Sequence, residues 1–117
     1  MSRVRLVQLA IVGGLLAAIL ILPTAASAHE RRQVGGIWMV VGFLNEPAFE
    51  NAQNGLDLTV YTLKPGVDPA AQTAADRVPI TGLEKTLKAE VVKDTKSMPL
   101  TLTARFNVPG SYNGVFF

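Results

Sequence analysis

His29 is the residue whose type and position could do the most specific chemistry, because it is the single histidine of a 117-residue chain. It follows Ala26-Ser27-Ala28, a small-x-small sequence that signal peptidases accept, with Ala26 and Ala28 as the small residues. Cleavage after Ala28 would make His29 the first residue of the mature protein. Its free α-amine and ring Nδ1 could then chelate one Cu(II), because Cu(II) binds nitrogen donors more tightly than the other divalent first-row metals do.

A copper site at His29 would need further donors. The carboxylate of Glu30, of Asp57 or of another acidic residue could complete the square plane that Cu(II) prefers. Met98 offers a thioether, a soft ligand suited to Cu(I), whereas Met39 lies in the most apolar segment and is expected to fill the core. The alternative for His29 is an exposed side chain without a role, because tight metal sites commonly use several such ligands. We therefore expect either copper or no cofactor.

Catalytic motifs are missing from the sequence. Acyl transfer requires a nucleophile, a base and an orienting acid, and His29 is the one candidate base. Ser111 lies in a predicted turn, and Glu46 and Glu50 flank Pro47 in a segment typical of solvated turns. The chain has no phosphate-binding glycine loop, no HExxH and no CxxC motif. We therefore expect a protein that is not an enzyme.

Residues 1–28 have the order of a secretory signal peptide. Arg3 and Arg5 supply the positive region, residues 9–22 form an apolar run, and Pro23 ends it. An uncleaved membrane anchor is the alternative, but the apolar run is shorter than the about 20 residues that span a bilayer. We expect an exported protein, periplasmic or extracellular, that is attached to the membrane only if this segment is not cleaved.

Cleavage also changes the charge of the chain. Arg3 and Arg5 would leave with residues 1–28, so that the remaining basic and acidic residues balance. A neutral chain lacks the basic face that nucleic-acid binding needs, so we expect no nucleic-acid partner. The chain has no cysteine, which excludes both disulfides and a lipoprotein anchor.

The apolar pattern of residues 29–117 predicts an all-β domain. Apolar and polar residues alternate in short segments bounded by turn signals, as strands with one buried face do. The predicted strands are 36–44, 56–61, 86–91, 100–107 and 112–117, with 78–80 as a possible short edge strand. This pattern favours an antiparallel immunoglobulin-like sandwich preceded by a signal helix. The sandwich lacks one or two strands and stops inside an apolar run, so we expect the domain to be truncated at its C-terminal end.

Turns and aromatic residues complete the predicted fold. Residues 45–54 form a loop that ends in an Asn54-Gly55 turn, and residues 94–99 form another turn. Trp38 is expected to lie in the core between the two sheets. Tyr112 follows a Pro-Gly turn, which predicts a hydroxyl that bonds to backbone as in the tyrosine corner of sandwich folds.

Two resemblances extend this interpretation. The segments 29–32 (HERR), 41–48 (VGFLNEPA) and 82–88 (GLEKTLK) resemble a group of uncharacterised bacterial secreted proteins, which implies no activity. A signal peptide, a mature N-terminal histidine and a short cysteine-free β-domain are similar to the CopC-like and YtkA-like exported copper-handling domains of bacteria. That similarity implies copper binding through His29, although CopC-like domains use an additional histidine that this chain lacks.

Two functional hypotheses follow from the sequence. The first is an exported non-catalytic module that binds an unknown envelope protein or surface component through loops such as 45–54 and 62–78. The second is a periplasmic copper-binding or copper-carrier protein that uses His29.

Overall fold

The computed structural model describes residues 29–117, so the expected signal helix and cleavage site lie outside the described residues. Within them the chain forms eight strands and three single-turn 3-10 segments. The strands are β1 (Glu30–Val34), β2 (Ile37–Phe43), β3 (Asn54–Leu63), β4 (Arg77–Pro79), β5 (Ala89–Lys93), β6 (Lys96–Leu100), β7 (Thr103–Ala104) and β8 (Ser111–Phe116). The 3-10 segments are Pro69–Ala71, Ala74–Asp76 and Leu83–Lys85. No helix among these residues is long and apolar enough to cross a membrane.

The strands form two sheets in which every pair is antiparallel. The larger sheet has the order β1-β2-β3-β8-β7, and β4 also pairs with β3. The smaller sheet is the β5-β6 hairpin. The prediction of an all-β antiparallel domain is therefore confirmed for the described residues.

The core lies on one face of the larger sheet. Leu58 and Val60 of β3 are buried there with Leu102 and Tyr112. Half-buried apolar side chains pack against this cluster, from β2, β3, β5 and the 80–87 segment: Met39, Val41, Leu56, Ile80, Leu83, Leu87 and Ala89. Alternate residues of β3, such as Asp57, Thr59 and Tyr61, face the opposite side, because successive side chains of a strand point to opposite faces.

Trp38 does not lie in the core between the sheets, so that prediction was wrong. The β2–β3 register pairs Trp38 with Tyr61, which lies on the face away from the core. The side chains of cross-strand partners project to the same face of a sheet, so the Trp38 side chain lies on that outer face. It is half-buried there. Met39, the next residue, packs against the core as predicted.

Two strand boundaries also differ from the prediction. Residues 30–34 were not predicted as a strand, but they form β1 and pair with β2. Asn54-Gly55 was expected to be a turn, but both residues begin β3. The Asn54 side chain bonds to the backbone N–H and C=O of Asn45, which fastens the loop between β2 and β3 to the start of β3.

The segment 94–107 differs from the prediction in a related way. The turn expected over 94–99 is shorter, because Lys96 already begins β6 and Asp94 takes a positive φ of 55°. The strand expected over 100–107 is divided between β6 of the smaller sheet and β7 of the larger sheet. The chain crosses from one layer to the other at Leu102, which is buried, and Phe106 is left almost fully exposed.

Tyr112 fastens β8 to the segment that follows β4. Its hydroxyl donates to the carbonyl oxygen of Ile80 at 2.5 Å and accepts from the N–H of Leu83 at 3.2 Å. The predicted hydroxyl-to-backbone contact is therefore confirmed, although its partners lie about 30 residues upstream rather than in the adjacent corner.

Replacing Tyr112 by phenylalanine should lower the free energy of unfolding by about 1–2 kcal/mol, because it leaves the Ile80 carbonyl and the Leu83 N–H without their partner. Urea unfolding followed by circular dichroism measures this loss. Tyr61→Phe is the matched control, since the Tyr61 hydroxyl donates to the side chain of Gln72, which can turn to water. Equal losses in the two variants would contradict a structural role specific to Tyr112.

A short capping arrangement precedes β4. The hydroxyl and the N–H of Thr73 both donate to Asp76 Oδ2, each at 2.7 Å. These two hydrogen bonds lower the pKa of Asp76 below its usual value, with nearby Lys64 acting in the same direction. They hold the turn that leads the chain back to β3.

Candidate functional site

A row of polar residues crosses the outer face of the larger sheet. The register of β1 and β2 pairs Glu30 with Val41, which places His29 opposite Gly42. Gly42 pairs with Asp57 of β3, and Asp57 pairs with Asn113 of β8. The backbone topology therefore brings His29 and Asp57 to the two sides of a residue that has no side chain.

The side chains of this row form a group that we call the histidine cluster: His29, Glu46, Asp57 and Arg105. His29 Nδ1 lies 3.2 Å from Glu46 Oε1, and its Nε2 lies 3.3 Å from Asp57 Oδ2. Arg105 Nη1 lies 3.5 Å from the other oxygen, Asp57 Oδ1. The His29, Glu46 and Asp57 side chains are 36%, 30% and 24% exposed, so solvent partly screens each pair.

Gly42 makes room for the imidazole ring. A Cβ built at this position would lie 2.5 Å from His29 Cδ2 and 2.7 Å from His29 Cγ and Nε2. Real side chains do not approach this closely, so the ring occupies the space that any other residue type would fill. The absence of a side chain at residue 42 is therefore what lets His29 reach both carboxylates.

Gly42→Ala should displace the His29 ring from Asp57 while changing the free energy of unfolding by less than about 1 kcal/mol, because the ring is partly exposed and can move. Nuclear Overhauser contacts between the imidazole protons and residue 42 measure the displacement. Gly36→Ala is the control, because a Cβ there meets nothing within 4 Å. Unchanged ring contacts in Gly42→Ala would contradict the close approach.

Two oxygens of the row are buried without a hydrogen-bond partner among residues 29–117. They are Asp57 Oδ1, whose contact to Arg105 is long, and Asn113 Oδ1. A buried acceptor that lacks a donor costs free energy relative to one that is paired. The oxygens give this end of the sheet unused capacity to accept hydrogen bonds.

The structure brings together only some of the predicted ligands. His29 meets Asp57, which the sequence analysis had named, and Glu46, which it had placed in a solvated turn. Glu30 Oε2 accepts instead from Arg32 Nη2 at 2.9 Å. Met98 lies on β6 of the smaller sheet and lines a separate cavity.

The two carboxylates cannot share one metal ion with His29. Glu46 lies at Nδ1 and Asp57 at Nε2, on opposite edges of the ring. Accordingly, residues 29–117 contain no group of three or more histidine, cysteine or acidic side chains arranged to hold a metal. A metal at Nδ1 would have Glu46 as its neighbour, and also the His29 α-amine if the chain were cleaved after Ala28, with Asp57 at the other edge of the ring.

Ser111 is not placed near His29 as a nucleophile would be. Its hydroxyl lies 3.1 Å from the hydroxyl of Thr59, its cross-strand partner, and the residue is buried. This pair links β3 to β8 on the outer face.

A second candidate site is an opening between the two sheets, which we call the interlayer crevice. Its inner cavity has a volume of about 220 Å³, and its outer cavity has a volume of about 760 Å³. Phe43, Val91 and Phe116 line both cavities, so the two lie next to each other. Strands β2, β3 and β8 of the larger sheet border the crevice on one side, and β5 and β6 of the smaller sheet border it on the other.

The walls of the crevice are mainly apolar. Val41, Leu56 and Leu100 line the inner cavity, whereas Phe49, Met98 and Phe117 line the outer one. The rings of Phe43 and Phe116 meet edge to face, with centroids 6.4 Å apart. Phe49 and Phe117 are 69% and 92% exposed, which is unusual for residues that can bury so much apolar area.

Charged residues lie at both ends of the crevice. Lys93 and Lys96, together with Glu50, line the outer cavity, and Glu30 and Glu90 line the inner one. No local sequence pattern indicates this site, because the apolar residues that form it come from five strands and a loop.

Comparison with known proteins gives no family for this chain. No family model matches it, and no curated protein or solved structure does so either. The functional interpretation therefore depends on the chemistry of the histidine cluster and the interlayer crevice.

Proposed function

We propose that the protein is an exported, non-catalytic binding module of the bacterial cell envelope, built on an immunoglobulin-like β-domain. The observation that carries this proposal is the interlayer crevice, an open cavity whose walls are mainly apolar. Ligand sites are typically concave and mostly apolar, with volumes of about 300–1,000 Å³. Its partner is a component of the envelope, because the signal-peptide pattern of residues 1–28 directs the chain there.

Binding in the crevice would bury side chains that are now exposed to water. Fully burying one Phe or Met side chain contributes about 1.5–3 kcal/mol. Phe49, Met98 and Phe117 line the outer cavity and are all exposed, so a partner seated there gains apolar contact at each of them. This function requires no nucleophile, base or cofactor.

The test measures thermal unfolding of the full-chain protein with detergent-solubilised envelope extract. Val91→Trp is the test variant, since Val91 lines both cavities and a larger side chain would fill them. Val92→Trp is the matched control, because Val92 is 62% exposed and lines neither cavity. We expect the extract to raise the Tm of the wild type and of Val92→Trp, but not of Val91→Trp. An equal effect on all three, or none, would contradict the proposal.

The alternative function is that of a periplasmic copper-binding or copper-carrier protein. The observation that favours it is the 3.2 Å distance between His29 Nδ1 and Glu46 Oε1. Two donors that bind one ion at about 2.0 Å and at right angles lie about 2.8 Å apart, so a small movement suffices. Asp57 at Nε2 would fix the ring orientation and the tautomer in which Nδ1 is free to bind the metal.

A further inference from the structure

We propose that the ligand of the interlayer crevice is a single-chain amphiphile with an anionic headgroup, of the class of long-chain fatty acids. This inference depends on the proposed function, since it names the ligand chemistry of the same crevice. The hydrocarbon chain occupies the inner cavity, and the carboxylate lies at the outer end beside Lys93 and Lys96.

The inner cavity suits a hydrocarbon chain. Val41, Leu56 and Leu100 offer no hydrogen bond from their side chains, so a polar group placed among them would lose its water without compensation. A chain of methylenes has no such cost and gains from every apolar contact. The two cavities adjoin at Phe43, Val91 and Phe116, and the ligand would extend across this boundary from the inner cavity to the outer one.

Charge sets the direction of the ligand. Lys93 and Lys96 are cross-strand partners in the last pair of the β5-β6 hairpin, and both line the outer cavity, where Glu50 is the one acidic lining residue. Like charges directly opposite each other are unfavourable in a sheet, so an anion between them would relieve their repulsion. Glu30 and Glu90 at the inner end would repel a carboxylate, so the headgroup is placed at the lysine end.

Other occupants fit the crevice less well. A folded surface, such as that of a second copy of the chain, is too broad to enter an inner cavity of about 220 Å³. An extended peptide would bring its backbone N–H and C=O groups among Val41, Leu56 and Leu100, where their desolvation is not repaid. A fatty acid has one polar end and therefore avoids both problems.

The experiment is calorimetric titration of delipidated full-chain protein with saturated fatty acids of increasing length, each kept below its micelle concentration. We expect one ligand per chain, with affinity rising about threefold to fourfold per added methylene until the crevice is filled. Alkyltrimethylammonium ions of the same chain lengths reverse the headgroup charge. We expect them to bind at least about tenfold more weakly, and equal affinities would overturn the assignment of an anionic headgroup.

Variants locate the site. Val91→Trp should abolish fatty-acid binding, whereas Val92→Trp should retain it, since only Val91 lines the cavities. Exchanging both Lys93 and Lys96 for glutamine leaves the walls intact and should weaken fatty-acid binding about fivefold to tenfold, without weakening binding of the cationic amphiphile. Identical affinities for the two tryptophan variants, or no effect of the lysine exchange, would overturn the proposed position.

The outcomes separate this inference from the function on which it depends. If fatty acids do not bind but envelope extract still stabilises Val92→Trp and not Val91→Trp, the ligand class is wrong and the binding module stands. If the extract also does not distinguish Val92→Trp from Val91→Trp, both the ligand class and the binding module are wrong. If sedimentation instead detects a dimer that Val91→Trp abolishes, a second copy covers the crevice and the fatty-acid assignment is overturned.

Discussion

Gly110→Ala should lower the free energy of unfolding by about 3 kcal/mol, because two separate costs act at this residue. Gly110 has a φ of 76°, in the left-handed region that side chains other than glycine rarely adopt. A Cβ there would also lie 2.7 Å from Pro79 Cβ and 2.8 Å from the backbone oxygen of Val60. The colliding atoms belong to strands β3 and β4, which cannot move aside independently.

The position of Gly110 explains why the loss would be global. The carbonyl oxygen of Gly110 accepts a hydrogen bond from the N–H of Val60 at 2.8 Å. The carbonyl oxygen of Val60 in turn accepts one from the N–H of Ile80. Gly110 therefore lies where β4 and β8 flank the same side of β3. A domain of this size has only several kcal/mol of net stability, so the variant would lose a large fraction of it.

Gly66→Ala separates the two costs. Gly66 has a similar φ of 79°, but a Cβ there meets nothing within 4 Å. It should lose about 1 kcal/mol, from backbone strain alone. Urea denaturation of both variants at equal m-value measures the difference. If Gly110→Ala loses no more than Gly66→Ala, the close packing of Gly110 against β3 and β4 is contradicted.

The strands in which apolar and polar residues alternate could be predicted from the sequence, because this alternation follows from burial of one face of the sheet. Strand β2 was found within one residue at each end, and β8 was also found. Strand β1 was missed because its residues are exposed, so its formation depends on pairing with β2 and leaves no apolar signal. Apolar and polar residues do alternate from Leu100 to Leu102, but the chain passes there from the smaller sheet to the larger one. A local sequence pattern does not indicate such a change of sheet.

The candidate site was less predictable than the strands. His29 and Asp57 were named from their chemistry, but their proximity depends on the register of three strands and on the empty space at Gly42. Glu46 was assigned to a solvated turn because it precedes Pro47. The contact between His29 and Glu46 depends on the pairing of β1 with β2, and the sequence pattern did not predict β1.

The same geometry makes a strong prediction for the copper alternative. If His29 is the mature N-terminus, adding one residue before it should weaken Cu(II) binding on the order of 100-fold. The addition converts the α-amine into an amide, which cannot donate a lone pair to the metal without losing its proton. It leaves Nδ1, Glu46 and the fold unchanged, so the loss reports the chelate alone.

Competitive titration with a chromophoric Cu(II) chelator measures this loss, and an N-terminal sequence or intact mass first establishes that the chain begins at His29.

Glu46→Gln should weaken Cu(II) binding by about tenfold, because the amide oxygen is a poorer donor than the carboxylate. Glu50→Gln is its control, since Glu50 lies on the same loop but lines the crevice rather than the histidine cluster. Equal Cu(II) affinity of the extended and mature chains would exclude the N-terminal chelate, and equal affinity of the two glutamine variants would exclude Glu46 as a ligand. Because neither change touches Val91, Lys93 or Lys96, a positive copper result and a positive fatty-acid result would identify two independent sites on one domain.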